Sequence, residues 1–152
     1  KALILKSVAI KEMHHRVKNN LQTIASLLRL QMRRTENDET KEVLGESMNR
    51  ILSIASTHEL LARNGVDEIM LQAVLESIKC NTLRYFANSS FDVHVSLEGD
   101  DFTVDSDIAT SVALVVNELL QNSFKYAFQN RREGLVRIVV SHGDFVFSDS
   151  GG

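Results

Sequence analysis

Two stretches of this chain combine residue types that can do phosphate chemistry. The first is His14-His15-Arg16-Val17-Lys18-Asn19-Asn20-Leu21-Gln22. At about 100° per residue in a helix, His15, Asn19, Gln22 and Ser26 share one side. A stripe of Met13, Val17, Leu21, Ile24 and Leu28 occupies the other. A histidine on the polar face of a core-forming helix is open to a reactant. Its neutral ring nitrogen is a nucleophile near pH 7, because the unperturbed pKa is about 6.5. Asn19, one turn on, can hydrogen-bond the ring or a phosphoryl group attached to it, and Arg16 and Lys18 attract an anion. A merely solvated histidine is the bland alternative. His14, rotated toward the edge of the apolar stripe, reads as a packing or orienting residue. His58, on the apolar side of a later helix, reads as a core histidine.

The second stretch is Asn117-Glu118-Leu119-Leu120-Gln121-Asn122-Ser123-Phe124-Lys125-Tyr126. Helical spacing gathers Glu118, Asn122 and Lys125 on one narrow face, with Val112, Val116, Leu119, Ser123 and Ala127 on the buried side. Carboxylate and carboxamide oxygens suit a hard cation such as Mg²⁺, and the ammonium balances polyphosphate charge. A solvated Glu–Lys face explains the same spacing equally well. Near the end, Phe147-Ser148-Asp149-Ser150-Gly151-Gly152 places a carboxylate at a strand end before glycines. Such an aspartate can accept a hydrogen bond from a base amino group, although Asp-x-Gly also fits ordinary turns.

These residues need elements to hold them. Residues 3–34 read as one long helix, Thr35-Glu36-Asn37-Asp38 as a polar break with capping chemistry, and residues 39–63 as a second helix. The second stripe is Leu44, Met48, Ile51, Ala55 and Ala62, and Asn64-Gly65 supplies a stop. Two amphipathic helices joined by a short loop make an antiparallel hairpin. Pairing two hairpins into a four-helix bundle hides both stripes, so a homodimer is expected. Beyond Gly65 the pattern changes: a helix over 69–87, strands at 91–98 and 102–104, a helix over 106–128, then strands at 135–141 and 145–148. The fold class is therefore α+β overall, with domains expected at 1–65 and 66–152.

Composition limits the alternatives. The chain has 152 residues, one cysteine and no proline, which excludes a disulfide framework or a cysteine metal cage. Residues 1–64 hold 11 Lys/Arg against 7 Asp/Glu, and residues 65–152 hold 6 against 13, as two modules of different character would. No face concentrates base with aromatics, so no nucleic-acid partner is expected. No apolar run reaches the roughly 18 residues a membrane span needs, so no membrane contact is expected of this segment. A chain beginning at Lys1 reads as a piece of a longer protein.

Taken in order, the three segments resemble the transmitter region of a sensor histidine kinase. His14–Gln22 resembles the phosphoacceptor motif of the HisKA_2/HWE-like subgroup. Asn117–Tyr126 resembles the N box of the GHKL-type ATP-binding domain, and Asp149-Ser150-Gly151 the start of its first glycine box. The resemblance implies a dimeric four-helix bundle followed by a partial α/β sandwich. It implies ATP and Mg²⁺ as cofactors, a response-regulator receiver domain as partner, and a cytoplasmic location. It also implies roles. His15 would accept the γ-phosphoryl group, and Asn19 would assist transfer and hydrolysis. Asn122 would ligate Mg²⁺, Lys125 would contact phosphate, Tyr126 would lie near the base, and Asp149 with Gly151 would form the base pocket.

Departures from the pattern are equally specific. Arg16 stands where the commonest histidine kinases carry a carboxylate, so a base for His15 comes from elsewhere, Glu12 being one source, or is not needed. Asn20 replaces their helix-bending proline, which predicts a straighter helix. Glu118 stands open between metal ligand and water-activating base. The second glycine box and lid would follow Gly152. Two rival readings remain: a phosphotransfer or scaffold protein with a degenerate ATPase half, and a GHKL ATPase in which His15 is incidental. The receiver domain would dock on the hairpin near His15, touching Gln22, Ser26 and Arg29.

Overall fold

The computed structural model describes residues 1–87, 92–127, 132–141 and 144–150. Helix α1 spans Ala2–Arg34 without interruption, as the absence of proline allows. Helix α2 spans Asp38–Asn64. Asn37 caps it by accepting the Thr40 backbone N–H at 2.8 Å, and Gly65 ends it with φ of 67°, a left-handed conformation that favours glycine. The two helices lie antiparallel along their length.

Among the described residues α1 packs mainly on α2, and this corrects the expected stripe. His14 and Ala25 are the buried residues of α1, with Val17, Leu21 and Leu28 half-buried beside them. Met13, Ile24 and Leu27 face outward, 48%, 45% and 58% exposed. One neighbour can cover only one side of an apolar stripe more than 100° wide. The other flank stays open.

The second half contains β1 (Glu68–Met70), α3 (Leu71–Tyr85), β2 (Asp92–Gly99), β3 (Thr103–Asp105), α4 (Ser106–Asn122), a π-helical turn (Ser123–Ala127), β4 (Glu133–Ser141) and β5 (Asp144–Asp149). Strands β1 and β3 pair antiparallel. The larger sheet has the order β2-β4-β5, with β2 and β4 parallel and β4 and β5 antiparallel. A parallel pair needs a crossover, and α4 lies within it. On β4, Val136, Ile138 and Val140 are buried while Leu135 and Arg137 face solvent, the period-2 pattern of a sheet covered on one face.

One hydrophobic core joins the inward face of this sheet to α3 and α4 through Val74, Leu75, Ile78, Ala113, Val116 and Leu120. Leu61 of α2 belongs to the same core. Helix α2 thus packs on α1 with one side and on α3 and α4 with another. Three expectations are adjusted here. The helix proposed over 69–87 starts only at Leu71, because Glu68–Met70 pairs with β3. The helix proposed to reach Phe128 leaves α geometry after Asn122. Phe128 itself, like Phe91, lies outside the described residues.

Candidate functional site

His15 is exposed on α1. Asn19, one turn later, is exposed too, and its backbone carbonyl accepts the Thr23 hydroxyl at 3.0 Å. The Glu12 carboxylate accepts Arg16 Nε at 2.8 Å, and that bond holds it below the usual carboxylate range, with His15 acting in the same direction. His15 is therefore a solvent-facing imidazole with Arg16 beside it, clasped to an acid.

His14 is the opposite case. Its side chain is 1% exposed, and both ring nitrogens are bonded. Nδ1 lies 2.8 Å from His58 Nδ1 on α2, and Nε2 lies 2.8 Å from Asp67 Oδ1 in the connection after α2. The other oxygen of Asp67 accepts the Ser106 hydroxyl at 2.8 Å, at the first residue of α4. Burial pushes the Asp67 carboxyl up, but bonds from Ser106 and His14 outweigh it and hold the group below its ordinary value. Burial, helped by His14, pushes His58 down. The sequence reading placed His14 and His58 near the core without joining them. The hairpin register could have done so, since both residues are equidistant from Glu36 at the turn.

On α4 the expected cluster is divided. Both oxygens of Glu118 face the Arg50 guanidinium of α2, the second at 3.1 Å from Nη2. Lys125 Nζ lies 2.5 Å from Glu46 and 3.6 Å from Glu42, also on α2, and the bond to Glu46 raises its pKa. Asn122 is exposed between them. The helix changes phase just after Asn122, at the π-helical turn Ser123–Ala127.

Asn117, one residue before Glu118, is fully buried. Its carbonyl oxygen accepts from Asn49, Ser53 and Thr82, at 3.1, 3.2 and 3.4 Å, which fixes α4 against α2 and α3. Phe124 stacks on Phe86, the residue that follows α3, at 4.6 Å between centroids. Tyr126 is 62% exposed with the Lys125 ammonium 5.2 Å from its ring centre.

Asp149, at the end of β5, accepts the Ser123 hydroxyl at 2.6 Å. That bond brings the strand end to the residue next to Asn122, so two of the segments singled out in the sequence meet. Gly151 lies outside the described residues. His15 does not join this cluster. His14 stands opposite His58 and Glu118 opposite Arg50, and the rise from Arg50 to His58 is about 12 Å at roughly 1.5 Å per residue. The oxygen donors of Glu118 and Asn122 fit Mg²⁺ in type, but in this arrangement Arg50 occupies the carboxylate.

A histidine kinase family model, HisKA_2, matches residues 12–86. Sensor histidine kinase PdtaS of Mycolicibacterium smegmatis is 39% identical over 156 residues, covering 99% of this chain and 31% of the relative. PdtaS of Mycobacterium tuberculosis is 43% identical over 128 residues, covering 84% of this chain and 25% of the relative. The chain thus spans about a third or less of these relatives' length. Among solved structures, the histidine kinase domain of the Erythrobacter litoralis EL346 blue-light activated histidine kinase superposes with a TM-score of 0.56 at 23% identity. That match covers 90% of this chain and 64% of the other, and it speaks for the fold.

Proposed function

This chain carries a histidine kinase transmitter region of the HisKA_2 family, and from that premise we propose that His15 is the phosphoacceptor of a sensor kinase core. Residues 1–65 form its dimerisation and phosphotransfer hairpin, and residues 66–152 part of its ATP-binding unit. The observation that carries this reading is the contrast within one turn: His14 is sealed in the α1–α2 seam while His15 stands free in solvent.

A His15 ring nitrogen attacks the γ-phosphorus of ATP. The N–P bond forms, the bond to the bridging oxygen of ADP breaks, and the proton on the ring passes to solvent. Positioning and charge compensation supply most of the rate in such transfers. Asn19 orients the ring or its phosphoryl group. Lys125 would meet the phosphates, Asn122 with Glu118 would hold Mg²⁺, and Tyr126 and Asp149 would face the base. Bound Mg²⁺ supplies charge neutralisation of the polyphosphate. The phosphoryl group then passes to an aspartate on a response-regulator receiver domain docked near Gln22, Ser26 and Arg29. A second copy covers the open flank of Met13, Ile24 and Leu27, giving a homodimer, and the reaction takes place on the cytoplasmic side. Among the described residues, no helix is long and apolar enough to cross a membrane.

Glu118 and Lys125 are held by α2, and His15 lies about 12 Å along the hairpin from the level of Arg50 at roughly 1.5 Å per residue, so transfer calls for the two halves to shift relative to each other. The same clasp favours one rival, a phosphorelay protein without kinase activity of its own. Incubating the full-length protein with γ-labelled ATP and Mg²⁺ separates the readings. Acid-labile, base-stable label that disappears in His15→Gln supports the kinase. Label taken only from a donor protein supports the relay. Phosphate release without protein label supports an ATPase in which Glu118 is the base.

A further inference from the structure

The chain of hydrogen bonds through His14 has no part in the phosphate chemistry above, yet it ties three elements together next to the proposed phosphoacceptor. The Asp67 carboxylate sets the direction of two of its bonds. Asp67 is ionised and accepts, so His14 Nε2 carries a proton and donates. His14 Nδ1 and His58 Nδ1 lie 2.8 Å apart, so one of the two nitrogens donates its proton and the other accepts. Ser106 donates to the second carboxylate oxygen. Every polar atom of a ring that is 1% exposed is thereby used.

Such a ring fixes the rotation of its helix. At a radius of roughly 5–6 Å from the axis, a turn of about 20° moves an atom by about 2 Å, enough to break both bonds. His15 follows His14 by about 100°, so holding one ring inward sets where the other points. Asp67 extends the constraint to α4, the helix bearing Glu118 and Asn122, because it bonds the first residue of that helix. A purely space-filling residue at position 14 would provide neither effect.

We propose that His14 is a positioning residue for phosphorylation of His15, and that the His58–His14–Asp67–Ser106 chain couples the rotation of α1 to the N-terminus of α4. This inference rests on His15 being the phosphoacceptor, and the experiment separates the two failures. In the full-length protein, the rate of His15 labelling is measured against ATP concentration for His14→Leu, His14→Gln, Asp67→Ala and Ser106→Ala, with His15→Gln as reference. Circular dichroism checks folding. Asp67 is 47% exposed and Ser106 half-buried, so neither truncation empties the core.

The expected result is a maximal rate at least tenfold lower in His14→Leu and Asp67→Ala, with the KM for ATP within twofold of the parent. His14→Gln, which keeps a donor for Asp67, recovers part of the loss. In parallel, the ¹⁵N ring resonances of His14 shift in Ser106→Ala, although Ser106 touches His14 only through Asp67. Parental rates in His14→Leu and Asp67→Ala, equal losses in His14→Leu and His14→Gln, or unmoved ring resonances in Ser106→Ala each overturn the coupling. Label persisting in His15→Gln would instead overturn the phosphoacceptor assignment, and the ring resonances then decide the coupling alone.

Discussion

Neighbouring histidines on α1 meet different solvents. His15 faces water, whereas His14 shares a buried network with His58 and Asp67. The outward direction of His15 was legible from the 100° step alone, because the apolar positions around it define the helix face. The full burial of His14 was not, since it depends on which flank α2 covers. A pH dependence follows. Folded His58 has a lowered pKa, chiefly through burial and further through its neighbour His14 on α1, with Asp67 opposing. Unfolded, it binds a proton near the ordinary value of about 6.5. Between the two values the unfolded chain holds more protons, so stability is complete above pH about 6.5 and declines as the pH falls below it. Urea midpoints measured between pH 7.5 and 5.5 should therefore drop in the parent and drop less in His58→Leu. An equal drop in both would remove His58 as the cause.

Among the elements, the long helices were recovered nearly to the residue because caps and periodicity agree: Asn37 and Gly65 both act where the sequence placed a boundary. Strand β1 escaped notice, since three residues are too short to show a period and their pairing with β3 is nonlocal. The π-helical turn after Asn122 was equally invisible, as it follows from packing rather than from a helix breaker. Helix α2 is the element that unites the molecule. Leu61→Ala should cost about 2–5 kcal/mol, as expected for a fully buried leucine, and should lower hairpin and sheet stability in a single transition. Two separate transitions with only the hairpin affected would contradict the shared core. On α1, Leu27 is 58% exposed on the open flank. Leu27→Asp should leave the circular dichroism spectrum unchanged and shift the protein to monomer in sedimentation equilibrium. An intact dimer would place the interface elsewhere.

At the scale of the whole molecule, the hairpin and the α/β half are held together by a polar clasp as well as by the core. Arg50 grips Glu118, and Glu46 with Glu42 grips Lys125. The sequence showed both sets of charges but gave no reason to pair them, because they are far apart along the chain. These contacts join partly exposed groups, so they contribute little to stability, while they engage the two residues proposed to meet the nucleotide and its Mg²⁺. Glu46→Gln should raise affinity for a nonhydrolysable ATP analogue severalfold with little change in melting temperature. Weaker binding would mean that Glu46 supports the site instead of blocking it. Of these contacts, Arg50–Glu118 follows the charge contrast between the two halves, while the Lys125 contact runs the other way, with its acids on the hairpin.

The most direct measurement is to map the phosphoryl group after reaction of the full-length protein with ATP and Mg²⁺, using mass spectrometry that preserves phosphohistidine. The chain contains five histidines, and the account predicts modification of His15 alone. Phosphate on His14, or on any histidine of the second half with His15 unmodified, would contradict it.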